Sequence, residues 1–136
     1  MNRRHLLALA GLAAVVLIAA GWSGGASANE ATIGIHFSHY TPSDLTAKVG
    51  EPITITLRND DPIAHEWIVG TPQLHEIHRT APPEFHNQFP TEVTIPALTT
   101  RVTTVQFDAP GDYQYICHLP GHEAYGMVGT LHVVAD

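Results

Sequence analysis

The chain has 136 residues, with 6 Lys+Arg against 13 Asp+Glu, a formal net charge of −7, 10 histidines and a single cysteine. That acidic balance speaks against a surface for nucleic acid or anionic membrane, and for basic or electrostatically steered protein partners. The length suits one domain with a real core rather than two. One cysteine cannot form an internal disulfide, which leaves a reactive thiol, half of an intermolecular bridge, or a ligand.

In chain order, Arg3 and Arg4 precede an uncharged apolar run from Leu6 to Ala20, and Ala26-Ser27-Ala28 is a small-residue cleavage signal. Residues 1–28 therefore read as a signal peptide and 29–136 as one domain. The arginine pair leaves twin-arginine and general secretory export both open. The apolar run is short for a span of about 20 residues, so no stable membrane insertion is expected after cleavage. The expected location is extracytoplasmic: periplasm, cell envelope or medium. Cleavage would leave 4 Lys+Arg against 13 Asp+Glu, a net charge of about −9.

Ala31 to Phe37 alternates as a first strand, and His39 to Ser43 breaks it. Leu45 to Val49 is a short extended piece, and Pro52 to Leu57 a clean strand with Ile53, Ile55 and Leu57 on one face. Asn59-Asp60-Asp61-Pro62 turns the chain into an extended segment, Ile63 to Val69. Thr71-Pro72 reads as an N-cap with proline at the first helical position, opening a short helix over 72–79 with Leu74, Ile77 and His78 at helical spacing. Thr80 to Pro90 is irregular. Strands return at Thr91 to Ile95, at Arg101 to Phe107 (apolar members Val102, Val105 and Phe107), through Tyr113, Tyr115 and Cys117 on one face, and at Met127 to Val134. About seven short strands punctuated by proline, glycine and acidic turns predict an all-β antiparallel β-sandwich.

The chemistry-bearing stretch is Pro110 to Val134. Cys117, His122 and Met127 follow one another at five-residue intervals, so one tight loop can present a thiolate, an imidazole and a thioether. A second imidazole must come from elsewhere, and His65 in NDDPIAHEW is the best candidate. Two His, one Cys and a weak axial Met form the donor set of an electron-transfer copper site. No catalytic triad, acid pair of carboxylates or phosphate loop is evident, so an enzyme is not expected.

The run Y-x-Y-x-C-x4-H-x4-M-x-G-x-L-x-V, Tyr113 to Val133, resembles the C-terminal signature of the cupredoxins, the small blue copper proteins. Its Cys–His gap is similar to the rusticyanin and auracyanin type rather than to plastocyanin. The resemblance implies a Greek-key sandwich with copper near one end, equatorial ligands His65, Cys117 and His122, and axial Met127. It also implies a monomer whose His122 ring reaches the surface in an apolar patch, drawn from Leu119, Pro120, Ala124, Tyr125, Pro62 and Ile63, that docks redox partners. Most family members carry Asn after the first histidine; this chain has Glu66, a carboxylate placed to tune the site.

The other histidines leave a choice. His118 neighbours Cys117 and should point to the opposite face, and His132 should be solvated. His75, His78 and His86 sit in the 72–90 insert, which either covers the copper end or is a decorated surface loop. With His36 and His39 they would make a second, weaker metal site, against the plainer expectation of scattered surface histidines. Two functions compete: an exported type 1 copper protein shuttling single electrons, and an extracytoplasmic copper carrier or storage protein that passes on the metal.

Overall fold

Alternating apolar residues build two facing sheets. The computed structural model describes residues 29–135; the expected signal peptide lies outside the described residues. The strands are β1 Asn29–His36, β2 His39–Thr41, β3 Asp44–Lys48, β4 Ile53–Asn59, β5 His65–Gly70, β6 Glu92–Ile95, β7 Thr100–Val105, β8 Gly111–Ile116 and β9 Val128–Val134. One sheet has the order β2-β1-β4-β7 and the other β3-β9-β8-β5-β6. Between them lie Ile33, Ile35, Ile53, Ile55 and Leu57 from the first sheet and Trp67, Val69, Tyr115, Leu131 and Val133 from the second.

The expected β-sandwich is present, but its sheets are mixed rather than wholly antiparallel. β1 runs parallel to β4, and β3 parallel to β9. A period of two reports which face of a strand is buried, whereas its neighbour's direction depends on where the chain crosses between sheets. The residues expected to break the first strand form β2 instead. Phe37 and Ser38 (φ 52° and 56°) make a two-residue turn that pairs His36 with His39. Val102 is exposed: in β7 the inward parity belongs to Thr103 and Val105.

All six residues of β5 are buried, which a strand with one solvated face cannot achieve. The insert covers its outer face and is not a decorated surface loop. Helix α1, Pro72–His78, starts as expected, with the Thr71 hydroxyl accepting the Leu74 N–H at 3.4 Å. Its buried residues are His75 and His78, however, while Ile77 is 63% exposed. Helical spacing picked out His78 but included Ile77 and passed over His75, because polar contacts seat this face. His75 Nε2–H donates to the Gln114 carbonyl (3.0 Å), and His78 Nε2 lies 3.2 Å from Glu92 Oε1.

His132 is not simply solvated. Its ring lies between two carboxylates, with Nδ1 2.7 Å from Asp112 and Nε2 3.4 Å from Asp44, tying β8 and β3 to β9. Hydrogen bonds to Asp112 and then Asp44 raise its pKa above the ordinary value. A raised folded-state pKa stabilises at pH values below the unfolded one, and the contribution disappears as pH rises through the folded value. His132→Ala should therefore lower the urea midpoint more at about pH 5 than at about pH 8.5. An equal loss at both would mean that the imidazolium is not what matters.

Gly129 faces Tyr115 across β8 and β9. A Cβ there would lie 2.1 Å from the Tyr115 ring, whose hydroxyl donates to the Pro42 carbonyl at 3.0 Å. Gly129→Ala should cost about 1–3 kcal/mol through overpacking, read from the chemical denaturation midpoint. No change would show that the ring moves aside freely.

Candidate metal centre

β5 begins at His65, and its alternation turns His65 and Trp67 inward while Glu66 faces the covered outer side. β8 ends at Ile116, so Cys117 follows it into the core and is wholly buried. The chain then folds back in a compact turn. Tyr125 N–H donates to the Gly121 carbonyl (3.0 Å), and Met127 N–H to the carbonyl of His122 (3.0 Å). Gly126, at φ +92°, takes the left-handed conformation that lets β9 start immediately afterwards. Cys117 N–H donates to the Met127 carbonyl at 3.2 Å, locking the two ends of the loop together.

The structure brings three of the four expected donors to one point. His65 Nδ1 lies 3.2 Å from His122 Nδ1, and Cys117 Sγ lies 3.3 Å from the same nitrogen. The candidate donor atoms of these three residues all fall within 4.8 Å of one another, and among the described residues no other group of three His, Cys, Asp or Glu does so. The fourth, Met127, is wholly buried and hydrogen-bonds through its backbone to both His122 and Cys117. The Glu66 N–H points at Cys117 Sγ, 3.3 Å away. With the sulfur protonated, burial pushes the Cys117 thiol up to about 11, against the lowering effect of that amide, so ion binding must displace a proton.

The residue that sequence reasoning missed is Asp61, read there as part of a turn. It is 5% exposed. His65 Nε2–H donates to its carboxylate at 2.9 Å, which turns Nδ1 inward and fixes the tautomer. The Phe37 and Ser38 amides donate to the same carboxylate, each at 2.8 Å. Burial alone would raise the pKa of Asp61, but the Ser38 and Phe37 amides together with His65 outweigh it and hold it below the ordinary value. His65 itself is lowered, chiefly by burial, and so is a neutral donor at neutral pH. Asn59, also buried, donates to the carbonyls of Ile63, Ile95 and Pro96 and accepts the Asp61 N–H. The only signal in the sequence was the D-x3-H spacing, which in an extended segment carries no periodic meaning.

Glu66, expected to tune the site, turns its carboxylate away from it. Its carboxylate accepts a hydrogen bond from His86 Nδ1 at 2.8 Å beneath the insert, and its carbonyl accepts one from the Tyr40 hydroxyl. His118 points to the opposite face as expected, against His75. His36 lies 3.4 Å from Asp61, and His39 hydrogen-bonds to the Phe37 carbonyl. These two therefore belong to the β1–β2 turn and do not join the insert histidines in a second site.

The family model of the cupredoxin-like domain matches residues 11–133, and the chain belongs to that family. It is 28% identical over 95 residues to the copper-resistant cuproprotein CopI of Rubrivivax gelatinosus, covering 68% of this chain and spanning 58% of that protein's length. Among solved structures it resembles dithionite-reduced auracyanin of Roseiflexus castenholzii (TM-score 0.66, 21% identity, 79% of this chain and 98% of that one). It also resembles auracyanin A of Chloroflexus aurantiacus (TM-score 0.61, 24% identity, 77% and 98%). Copper is the cofactor to which this donor set belongs. One thiolate and two Nδ1 imidazoles, with a buried thioether in the same loop, suit a soft one-electron metal.

Asp61→Asn would keep the shape but replace a carboxylate oxygen with an amide NH2 facing donors. It should weaken copper affinity by about 10–100-fold, as losses of such supporting carboxylates do, measured by competition against a chelator of known affinity. Unchanged affinity would reduce Asp61 to a scaffold residue.

Proposed function

We propose that this chain is an exported blue copper protein that holds one ion through His65, Cys117, His122 and axial Met127 and carries single electrons between redox partners. The observation that carries it is the convergence of His65 Nδ1, Cys117 Sγ and His122 Nδ1 around one point, with His65 already locked by Asp61. A bound copper would supply the one-electron couple. The protein's part is to hold the donors still, so that little rearranges when charge changes. It does so through the Asp61 hydrogen bond, the Glu66 amide on the sulfur and the backbone links between Cys117, His122 and Met127.

His65, Cys117 and Met127 are wholly buried, while His122 is half-buried at the rim. That arrangement closes the centre to a substrate and leaves the His122 edge as the route for electrons. Tyr125 (74% exposed), whose N–H reaches the His122 carbonyl, and Ile63 (47%) belong to the apolar surface proposed to dock partners. The working form is taken to be a monomer outside the cytoplasm. Among the described residues no helix is long and apolar enough to cross a membrane.

The second reading, a carrier that hands on copper in a resistance system, is favoured by the similarity to CopI. Optical and EPR spectra with voltammetry of the copper-loaded domain separate the two. The shuttle predicts intense blue colour and a reversible one-electron couple. It also predicts loss of colour in Cys117→Ser, and a higher potential in Met127→Leu because an axial donor to Cu(II) is removed. Tight Cu(I) binding without a stable blue oxidised form would support the carrier instead, and no copper uptake would end both.

A further inference from the structure

On the outer side of the second sheet, facing away from the proposed blue centre, two buried imidazoles oppose each other. His75 comes from α1 and His118 from the residue after Cys117; His75 Nδ1 and His118 Nε2 are 2.9 Å apart. We propose that this pair is a second metal site, binding one divalent copper ion between His75 Nδ1 and His118 Nε2.

Proton placement is the first argument. His75 Nε2 faces the Gln114 carbonyl at 3.0 Å and must carry the hydrogen, so His75 Nδ1 is a bare lone pair. The His118 side chain is 1% exposed, and its Nδ1 has no hydrogen-bond partner; Glu123 Oε2 lies 3.6 Å from it. If the His118 hydrogen sits on Nε2, it satisfies His75 but leaves a buried lone pair turned toward a carboxylate. If it sits on Nδ1, it faces that carboxylate favourably but leaves two lone pairs opposed at 2.9 Å. Neither neutral tautomer satisfies both rings, so the pair takes up either one proton, on His118 between His75 Nδ1 and Glu123, or a metal ion. A cation between the nitrogens, with Nδ1–H of His118 directed at Glu123, removes the conflict.

Geometry is the second argument. Bonds of about 2.0 Å meeting at a right angle, the tetragonal arrangement of Cu(II), place two nitrogens about 2.8 Å apart, and a tetrahedral angle about 3.3 Å apart. The observed 2.9 Å, also the length of an ordinary hydrogen bond, is close enough for both nitrogens to reach one ion. The supporting contacts repeat those of the blue centre. There the far nitrogen of His65 donates to Asp61; here the far nitrogens of His75 and His118 face the Gln114 carbonyl and Glu123. Acceptors behind the ring are how metal-binding histidines are oriented. A surface cavity of about 390 Å³, lined by His118, Arg79 and Glu123, lies beside the pair on the His118 side.

The experiment titrates the mature chain, already carrying one copper, with Cu(II) buffered by a weak chelator. A second equivalent should bind with a tetragonal Cu(II) EPR signal while the blue absorbance stays constant. His75→Ala should weaken that second equivalent by at least about 10–100-fold with the blue band retained, whereas exchanging His36, His39 and His132 together for Ala should leave it unchanged. If His75→Ala does not fold, His75→Gln, which keeps a donor for the Gln114 carbonyl, takes its place. Cys117→Ser combined with His65→Ala, which removes the sulfur and one imidazole of the blue centre, should still bind one Cu(II) with the same dependence on His75, so the outcome does not hang on the electron-carrier reading. Binding of a single copper per wild-type chain, or a second copper that survives loss of His75 or vanishes with the surface histidines, would overturn the site.

Discussion

One buried carboxylate organises the copper end of this molecule. Asp61 gathers two amides from the β1–β2 turn and one imidazole from β5, and so joins the two sheets where the donors converge. The turn residues Phe37 and Ser38 sit in left-handed backbone conformations that cost L-residues roughly 1–2 kcal/mol each. Charge-assisted hydrogen bonds to a carboxylate, at about 1.5–3 kcal/mol, are of the size needed to hold them there. Without that carboxylate, His65 Nε2–H would lose its buried acceptor and the ring would lose what sets its rotation.

Seen from Asp61, the departure from the usual family pattern becomes intelligible. At the position after the first histidine, where the resemblance leads one to expect Asn, stands Glu66, whose backbone N–H points at the Cys117 sulfur. Side-chain bracing comes from Asn59 and Asp61. That frees Glu66 to face the other side of the sheet, where it pairs with His86. His78–Glu92 and His86–Glu66 are both almost fully enclosed, at 7% or less side-chain exposure. Such enclosed polar contacts are costly to leave half made, so they fix where the insert docks.

The insert also gives the β5–β8 pair a polar outer layer under cover. Cys117 and His118, consecutive in the chain, face opposite sides of this sheet: the sulfur turns toward the proposed blue centre, the imidazole toward α1. Strand-like alternation is what separates the two environments, although the two residues share a peptide bond.

Much of the copper end was legible in the residues. Cys117, His122 and Met127 lie in one short loop, so their donor types and spacing carried the chemistry without tertiary information, and alternation placed Ile53, Ile55 and Leu57 in the core. Parity and spacing failed where burial is polar. Ile77 looked like part of the seated face of α1, whereas His75 is buried there; Asp61 looked like a turn residue and anchors the ring of the candidate ligand His65. From its own residues the chain determines the strand pattern and the family, and sets the candidate donors Cys117, His122 and Met127 in one loop, because each is written in local spacing. Folding alone decides the parallel pairings, the carboxylate behind His65 and the meeting of His75 with His118, because these contacts join residues whose separation along the chain carries no periodic signal.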